Sequence, residues 1–144
     1  MCIRDSHQGQ RNLVYSAVRA QDKLQVCIRQ LRPGMTTPQL FHRYQSEYDL
    51  LSQIQSAFIV RPVELIDSGE SPILVMERPS GESLTEILRH DPPTISQAAV
   101  IGSLIARAIN DLHSANIVHK DINPAHIIYD ATGPTLKLLS LIHI

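Results

Sequence analysis

Cysteine is scarce in this chain, basic charge is not in surplus, and no apolar run is long. Cys2 and Cys27 are the two cysteines, and Cys2 falls in a terminal hexapeptide set aside below. Cys27 is left without a disulfide partner, which fits a reducing, cytoplasmic setting. Thirteen Lys and Arg stand against fourteen Asp and Glu, a formal charge of −1. That balance argues against a nucleic-acid partner, and no polybasic run points to anionic lipid. No apolar stretch approaches the ~20 residues of a membrane span, so no membrane segment is expected. There is no internal repeat and no low-complexity tract. What is present is 144 residues, 43% of them hydrophobic, ordinarily enough for one domain with a sizeable core.

The two ends are related to each other. Met-Cys-Ile-Arg-Asp-Ser (1–6) can be encoded by ATG TGT ATA AGA GAC AGC, and Leu-Ser-Leu-Ile-His-Ile (139–144) by CTG TCT CTT ATA CAC ATC. Over their shared bases these are reverse complements, and both match the mosaic-end adaptor of transposase sequencing libraries. Residues 1–6 and 139–144 are therefore expected to be adaptor scars and are set aside from the fold reading. Arg4 and Asp5 cancel, so the charge balance is unchanged. Residues 7–138 are expected to be a fragment of a longer protein.

Within that fragment, alternation from Val14 to Val18 predicts a strand after a turn at Gly9. Leu24 to Leu31 predicts a second, with Val26, Ile28 and Gln30 on one face. Thr37-Pro38 reads as an N-cap followed by Pro at the first helical position. Leu40, Tyr44, Tyr48, Leu51 and Ile54 then mark one helix face, with Glu47 beside it. Ala57–Ile66 and Pro72–Met76 read as strands joined by Asp67-Ser68-Gly69-Glu70, and Pro62 places the first of them at an edge or a bulge. Ser83 with Glu86 predicts a capping box for a short helix 84–89. Thr94 with Gln97 caps a longer one, striped by Ile101, Leu104, Ile105, Ala108, Ile109 and Leu112. That stripe is core, not a cofactor box. His113 and His119 are six residues apart, which matches no usual metal spacing and makes both structural.

The stretch Ile117 to Asp130 organises the rest. Ile117 and Val118 read as a short buried strand, His119, Lys120 and Asp121 as a polar turn, and Pro124 as a helix stop. Ile127, Ile128 and Tyr129 resume a strand. A turn pinned between two apolar segments is a rigid place to present a carboxylate, here Asp121. Taken alone, Asp121 would be a solvated loop residue.

His-x-Asp-x-x-Pro followed by Ile-Ile resembles the catalytic loop of the eukaryotic-type Ser/Thr protein kinases. The variant Lys-Asp-Ile-Asn-Pro resembles one found in kinase domains heading large bacterial signalling proteins that also hold ATPase and sensor histidine kinase modules. The resemblance runs through 7–138. It implies an α+β fold: an antiparallel small-lobe sheet with one helix over 7–78, lacking its first strand. The hinge and the start of the large lobe, through the catalytic loop, would follow over 79–138. It implies ATP and Mg²⁺ as cofactors, a protein hydroxyl as acceptor, and further signalling domains in the full-length chain.

Residue by residue, the resemblance makes Asp121 the base. Val26-Cys27-Ile28-Arg29 aligns with Val-Ala-Ile-Lys, so Arg29 stands where the family has its phosphate-pairing lysine, and Glu47 is its helix partner. Without the resemblance, Arg29 would be an exposed strand residue and Glu47 a solvated helix charge. Gly9 and Val14 fall on the tail of the phosphate loop and its second strand, although one Gly alone is more often just a turn. Met76 falls at the gatekeeper, Glu77 opens the hinge, and Pro79 stands where a backbone N–H commonly bonds adenine. His126 replaces the asparagine that holds magnesium, and imidazole suits Mg²⁺ poorly. His119 orients the loop through backbone contacts.

Departures at 29, 79 and 126 open a second reading, a pseudokinase that binds partners or regulates a neighbouring domain without transferring phosphate. A third, an aminoglycoside-phosphotransferase-like small-molecule kinase, fits less well, because its loop asparagine is absent and Pro124 and Ile117-Val118 are present. The chain as it stands is expected to be inactive.

Overall fold

The computed structural model describes residues 4–8, 12–32, 34 and 37–139. These fall into two compact units: one formed by residues up to Gln53 together with Arg61–Arg78, the other by Ile54–Val60 together with the residues from Pro79 onward.

The first unit is an antiparallel sheet with one helix. Its strands are β1 (Arg4–Gln8), β2 (Asn12–Val18), β3 (Gln25–Leu31), β4 (Pro62–Asp67) and β5 (Pro72–Glu77), in the order β1-β2-β3-β5-β4. Helix α1 (Pro38–Gln53) lies between β3 and β4 in sequence. It starts where Thr37-Pro38 predicts, with the Leu40 N–H donating to Thr37 Oγ1 at 3.3 Å. Lys23 takes the left-handed backbone (φ 61°) that closes the β2–β3 turn, and Arg19 holds Asp22 beside it with Nε–Oδ1 at 3.0 Å.

Two expectations for this unit are corrected. A first strand is present: β1 pairs with β2, Arg4 opposite Ser16 and Gln8 opposite Leu13. Arg-Asp-Ser-His-Gln has no apolar alternation to read. What recruits it is the open edge of β2, whose backbone groups need partners whatever the side chains are. The strand forecast over 57–66 begins only at Pro62. Pro62 opens an edge strand with a register shift before Glu64, the position in a sheet that a residue without an N–H tolerates.

Register sorts the two sheet faces, since directly opposed antiparallel residues point the same way. Val14 opposes Arg29, Arg29 opposes Leu74, and Cys27 opposes Met76. α1 buries Tyr44, Glu47 and Leu51, and Glu47 meets Arg29 on this face. The opposite face carries Ala17, Val26, Ile28 and Val75 as a second buried cluster. Leu31, Leu51 and Leu74 are almost fully buried, each worth roughly 1.5–3 kcal/mol of burial.

The second unit has helices α2 (Leu84–His90) and α3 (Ile95–Ser114) and a small sheet of β6 (Glu82–Ser83), β7 (Ile127–Asp130) and β8 (Thr135–Leu138), in that order. Residues 59–60 join it by a parallel bridge between Ile59 and Leu138, with Leu138 N–H donating to Phe58 O at 2.7 Å and Val60 N–H to Leu138 O at 3.1 Å. The Thr94–Gln97 capping box forms reciprocally. The Ser83 box forms only by half: Ser83 Oγ accepts from Glu86 N–H at 3.3 Å, while the Glu86 carboxylate turns to Arg89 at 2.8 Å. On α3, Ile101, Ala108 and Leu112 are buried, as the stripe predicts.

Gly81 has a positive φ of 100°, and a Cβ there would lie 2.3 Å from the Tyr129 carbonyl oxygen. Glycine alone allows β6 to close on β7 at this point. Among the described residues, no helix is long and apolar enough to cross a membrane.

Candidate functional site

The described residues present two constellations, one in each unit.

In the first, β3 places Arg29 on the face that α1 covers. Arg29 is 4% exposed and Glu47 5% exposed, and the guanidinium Nη2 binds the Glu47 carboxylate directly. A charge this deep is tolerable only with its counter-charge, and β3 and α1 each supply one member. Tyr44, one turn before Glu47, lies beneath the guanidinium with the ring centroid 4.8 Å from Cζ. Burial pushes the Arg29 pKa down, but the charge of Glu47 and the contacts of Tyr44 outweigh it, and the net shift is upward. Arg29 Nε, also buried, has no hydrogen-bond partner among the described residues. The forecast pair is brought together. Tyr44 was visible in the sequence only as part of an apolar stripe, and its three-residue spacing from Glu47 was the available signal.

Val14 and Met76 share this face by register, Met76 being buried. Glu77, at the end of β5, opposes Val26. Its carboxylate accepts from Arg61 N–H at 3.1 Å, and its own N–H donates to Arg61 O at 3.0 Å. Cys27 is a free thiol, and burial raises its pKa. Gly9 lies outside the described residues, and Pro79 belongs to the second unit.

The second constellation is the loop from Ile117 to His126. The expected strand at Ile117-Val118 does not form. Ile117 is buried, but its N–H donates to Leu112 O at 2.9 Å, finishing α3, and Val118 is 60% exposed. Asn116 and Lys120 both have left-handed backbones, φ 58° and 62°. For non-glycine residues this costs of order 1 kcal/mol or more and is common beside functional groups. The reversal at Lys120 turns the Asp121 N–H back to His119 O at 2.9 Å and to His119 Nδ1 at 3.3 Å. His119, 3% exposed, then donates from Nε2 to Leu139 O at 2.9 Å. Those two contacts assign the tautomer: Nδ1 accepts and Nε2 carries the hydrogen. Leu139 also donates its N–H to His126 O at 2.8 Å, so one residue ties both ends of the loop. Leu139 fell among the residues set aside, and its role follows from backbone atoms that any residue would supply.

Asp121 is half-exposed. Asn123 Nδ2 donates to its Oδ1 at 3.0 Å, while Asn123 Oδ1 accepts from Ala125 N–H at 3.0 Å. One oxygen of Asp121 is thus held by an amide that is itself fixed. The other, Oδ2, lies 3.4 Å from His126 Nδ1. His126 Nδ1 is also 2.9 Å from Asp121 O and 2.9 Å from Asn123 Nδ2. A protonated Nδ1 donates to the carbonyl, and an unprotonated one accepts from Asn123. Either way this nitrogen is committed inside the loop. Magnesium, which wants oxygen ligands in octahedral array, does not fit His126. Among the described residues no three His, Cys, Asp or Glu side chains converge as metal ligands.

Comparison with known proteins gives the family and the fold. The family model for the protein kinase domain matches residues 7–140. A probable serine/threonine-protein kinase of Corynebacterium efficiens is 32% identical over 118 residues, 76% of this chain and 17% of that protein. The serine/threonine-protein kinase PkaA of Streptomyces coelicolor is 31% identical over 120 residues, 82% of this chain and 22% of that protein. The chain therefore spans about a fifth of these relatives' length. Among solved structures, Rad53 in complex with AMP-PNP superposes with a TM-score of 0.84 at 21% identity, over 97% of this chain and 38% of that one. The fold is kinase-like and α+β, and with residues 7 to 140 inside the family model the chain belongs to the protein kinase domain family.

Proposed function

We propose that the chain is part of a bacterial Ser/Thr protein kinase domain that moves the terminal phosphoryl group of ATP to a protein hydroxyl. The observation that carries this reading is the Arg29–Glu47 pair, two opposite charges buried together on the strand and helix where the family positions the nucleotide phosphates. Arg29 Nε fits ATP, because a buried N–H without a partner among the described residues is a ready donor to a phosphate oxygen. In this reading Val14 and Met76 line the nucleotide base, Glu77 and Pro79 form the hinge beside it, and Gly9 belongs to the phosphate loop. Pro79 has no N–H for adenine, so that contact rests on neighbouring groups.

Asp121 is the base. Its Oδ1 is held by Asn123, which keeps the carboxylate oriented, and half-exposure leaves it open to an incoming hydroxyl. It receives the hydroxyl proton as the oxygen attacks phosphorus. No step is assigned to magnesium, because His126 does not fit it. The test is calorimetry of this chain with ATP, joined to transfer of labelled phosphate by the full-length parent. Binding of ATP, together with transfer lost in Asp121→Asn, is the expected result. Parent protein that transfers phosphate equally well with Asn at 121 overturns the assignment.

The pseudokinase reading is favoured by one observation, the commitment of His126 Nδ1 to the loop. On that ground this chain alone is expected to transfer no phosphate. Calorimetry separates the two, since a pseudokinase of this kind shows little or no Mg-ATP binding. Further signalling domains in the parent, a cytoplasmic setting, and an adaptor origin for 1–6 and 139–144 complete the reading. The pairing of Arg4 and Asp5 with β2 needs only backbone and suits either origin of those residues. Reading the parent locus across both ends decides it: native codons there remove the adaptor reading.

A further inference from the structure

We propose that Tyr44 is a positioning residue that makes arginine workable at position 29. Its ring and the Glu47 carboxylate together hold the guanidinium in one plane and leave Nε–H as the donor to phosphate. The proposal rests on the nucleotide reading above and adds a residue to it.

Arginine at this strand position must place a wide, flat fork where the family places a single ammonium. A long side chain keeps many rotamers unless something removes them, and a guanidinium can be gripped at its edge and on its face at once. Glu47 grips the edge through Nη2. Tyr44 supplies a second contact, with Cζ lying over its ring 4.8 Å from the centroid, inside the range where a cation over an aromatic ring is attracted. Arg29 and Tyr44 are 4% and 5% exposed, so water does not compete for that contact. Contacts at Nη2 and over the ring together fix the guanidinium and so fix the direction of Nε–H, the buried donor without a partner among the described residues. Tyr44 and Glu47 sit three residues apart on α1, so one helix face presents both grips to one strand residue. Tyr44 also reaches Arg29 through its hydroxyl, and that oxygen, not the ring, is what Tyr44 contributes to the raised pKa of Arg29; Tyr44→Phe removes the hydroxyl and leaves the ring contact to be tested alone.

The alternative is that Tyr44 only fills core volume. Two substitutions separate them. Tyr44→Phe keeps the ring, and Tyr44→Met fills the space with an unbranched apolar chain and removes it, with Tyr44→Leu as a second ringless variant if Met is not accommodated.

The first readout is the side-chain Nε–H of Arg29 by nitrogen-15 NMR in the 144-residue chain. A slowly exchanging signal in wild type and Tyr44→Phe, lost or fast-exchanging in the ringless variant while the backbone spectrum stays dispersed, is the expected result. The same signal persisting without the ring overturns the proposal. The second readout is ATP affinity by calorimetry. The ringless variant is expected to bind ATP on the order of tenfold more weakly than wild type, and Tyr44→Phe within about threefold of it. Equal affinity in wild type and the ringless variant overturns the positioning role. If wild type itself binds no ATP, the nucleotide reading fails, and the NMR result still decides whether Tyr44 fixes Arg29.

Discussion

The two constellations hold their key side chains in opposite ways. In the first unit a cation and an anion sit together in the core, each less than a tenth exposed, with an aromatic ring beneath the cation. In the second unit Asp121 stays half-exposed among neutral partners: its N–H bonds the carbonyl and ring of His119, the Asn123 amide holds its Oδ1, and Leu139 links His119 to His126 through backbone atoms. The first arrangement makes charge part of stability, because removing either partner strands the other in low dielectric. The second separates them, since the loop is tied by backbone groups, the His119 ring and the Asn123 amide, and none of these ties depends on the negative charge of Asp121. In this chain a change at the loop carboxylate is therefore expected to cost folding little, whereas loss of either member of the strand–helix pair leaves a buried charge without its counter-charge.

Five measurements test that contrast. Glu47→Ala leaves Arg29 buried and uncompensated and should cost about 3–5 kcal/mol in urea denaturation. A loss below 1 kcal/mol would mean the pair is not the core feature described. Gly81→Ala, forced against the Tyr129 carbonyl with a positive φ, should cost roughly 1–3 kcal/mol. That loss would place second-unit stability at the β6–β7 closure and away from the loop. Thr94→Ala removes half of the reciprocal capping box of α3 and should cost ~1 kcal/mol, read as a lower melting temperature.

Asp121→Asn should change stability by only about 0.5 kcal/mol or less, because the amide oxygen can still accept from Asn123. A large loss of stability there would erase the contrast between the units. The smallest effect is at Asp22, where the Arg19 hydrogen bond, helped by the Leu24 N–H, lowers the carboxyl pKa from 3.8 to about 2. A folded pKa below the unfolded one contributes stability that is present above pH 3.8 and lost as pH falls through about 2. A carbon-13 titration of the Asp22 carboxyl with its midpoint near 3.8 would show that the pair does not persist in solution.

Sequence alone carried the order of elements, the helix starts at Thr37-Pro38 and Thr94, the edge position of Pro62, and the stripe on α3. These depend on local chemistry: φ preference, capping hydroxyls and apolar spacing act within a few residues. It also carried the pairing of Arg29 with Glu47, though only through likeness to the kinase loop and strand motifs. Periodicity by itself set Glu47 beside the apolar face and left its burial undecided.

Tertiary structure decided the rest. β1 has no readable pattern and exists because β2 offers an unpaired edge. Ile117 looked like strand and became a helix ending, because its N–H was claimed by Leu112. Tyr44 looked like core and lies beneath a guanidinium from another element. Leu139 looked like discard and ties the loop through its carbonyl and amide. In each case the deciding partner was a backbone group or side chain distant in sequence, and such partners are chosen by packing, which no window of neighbouring residues contains.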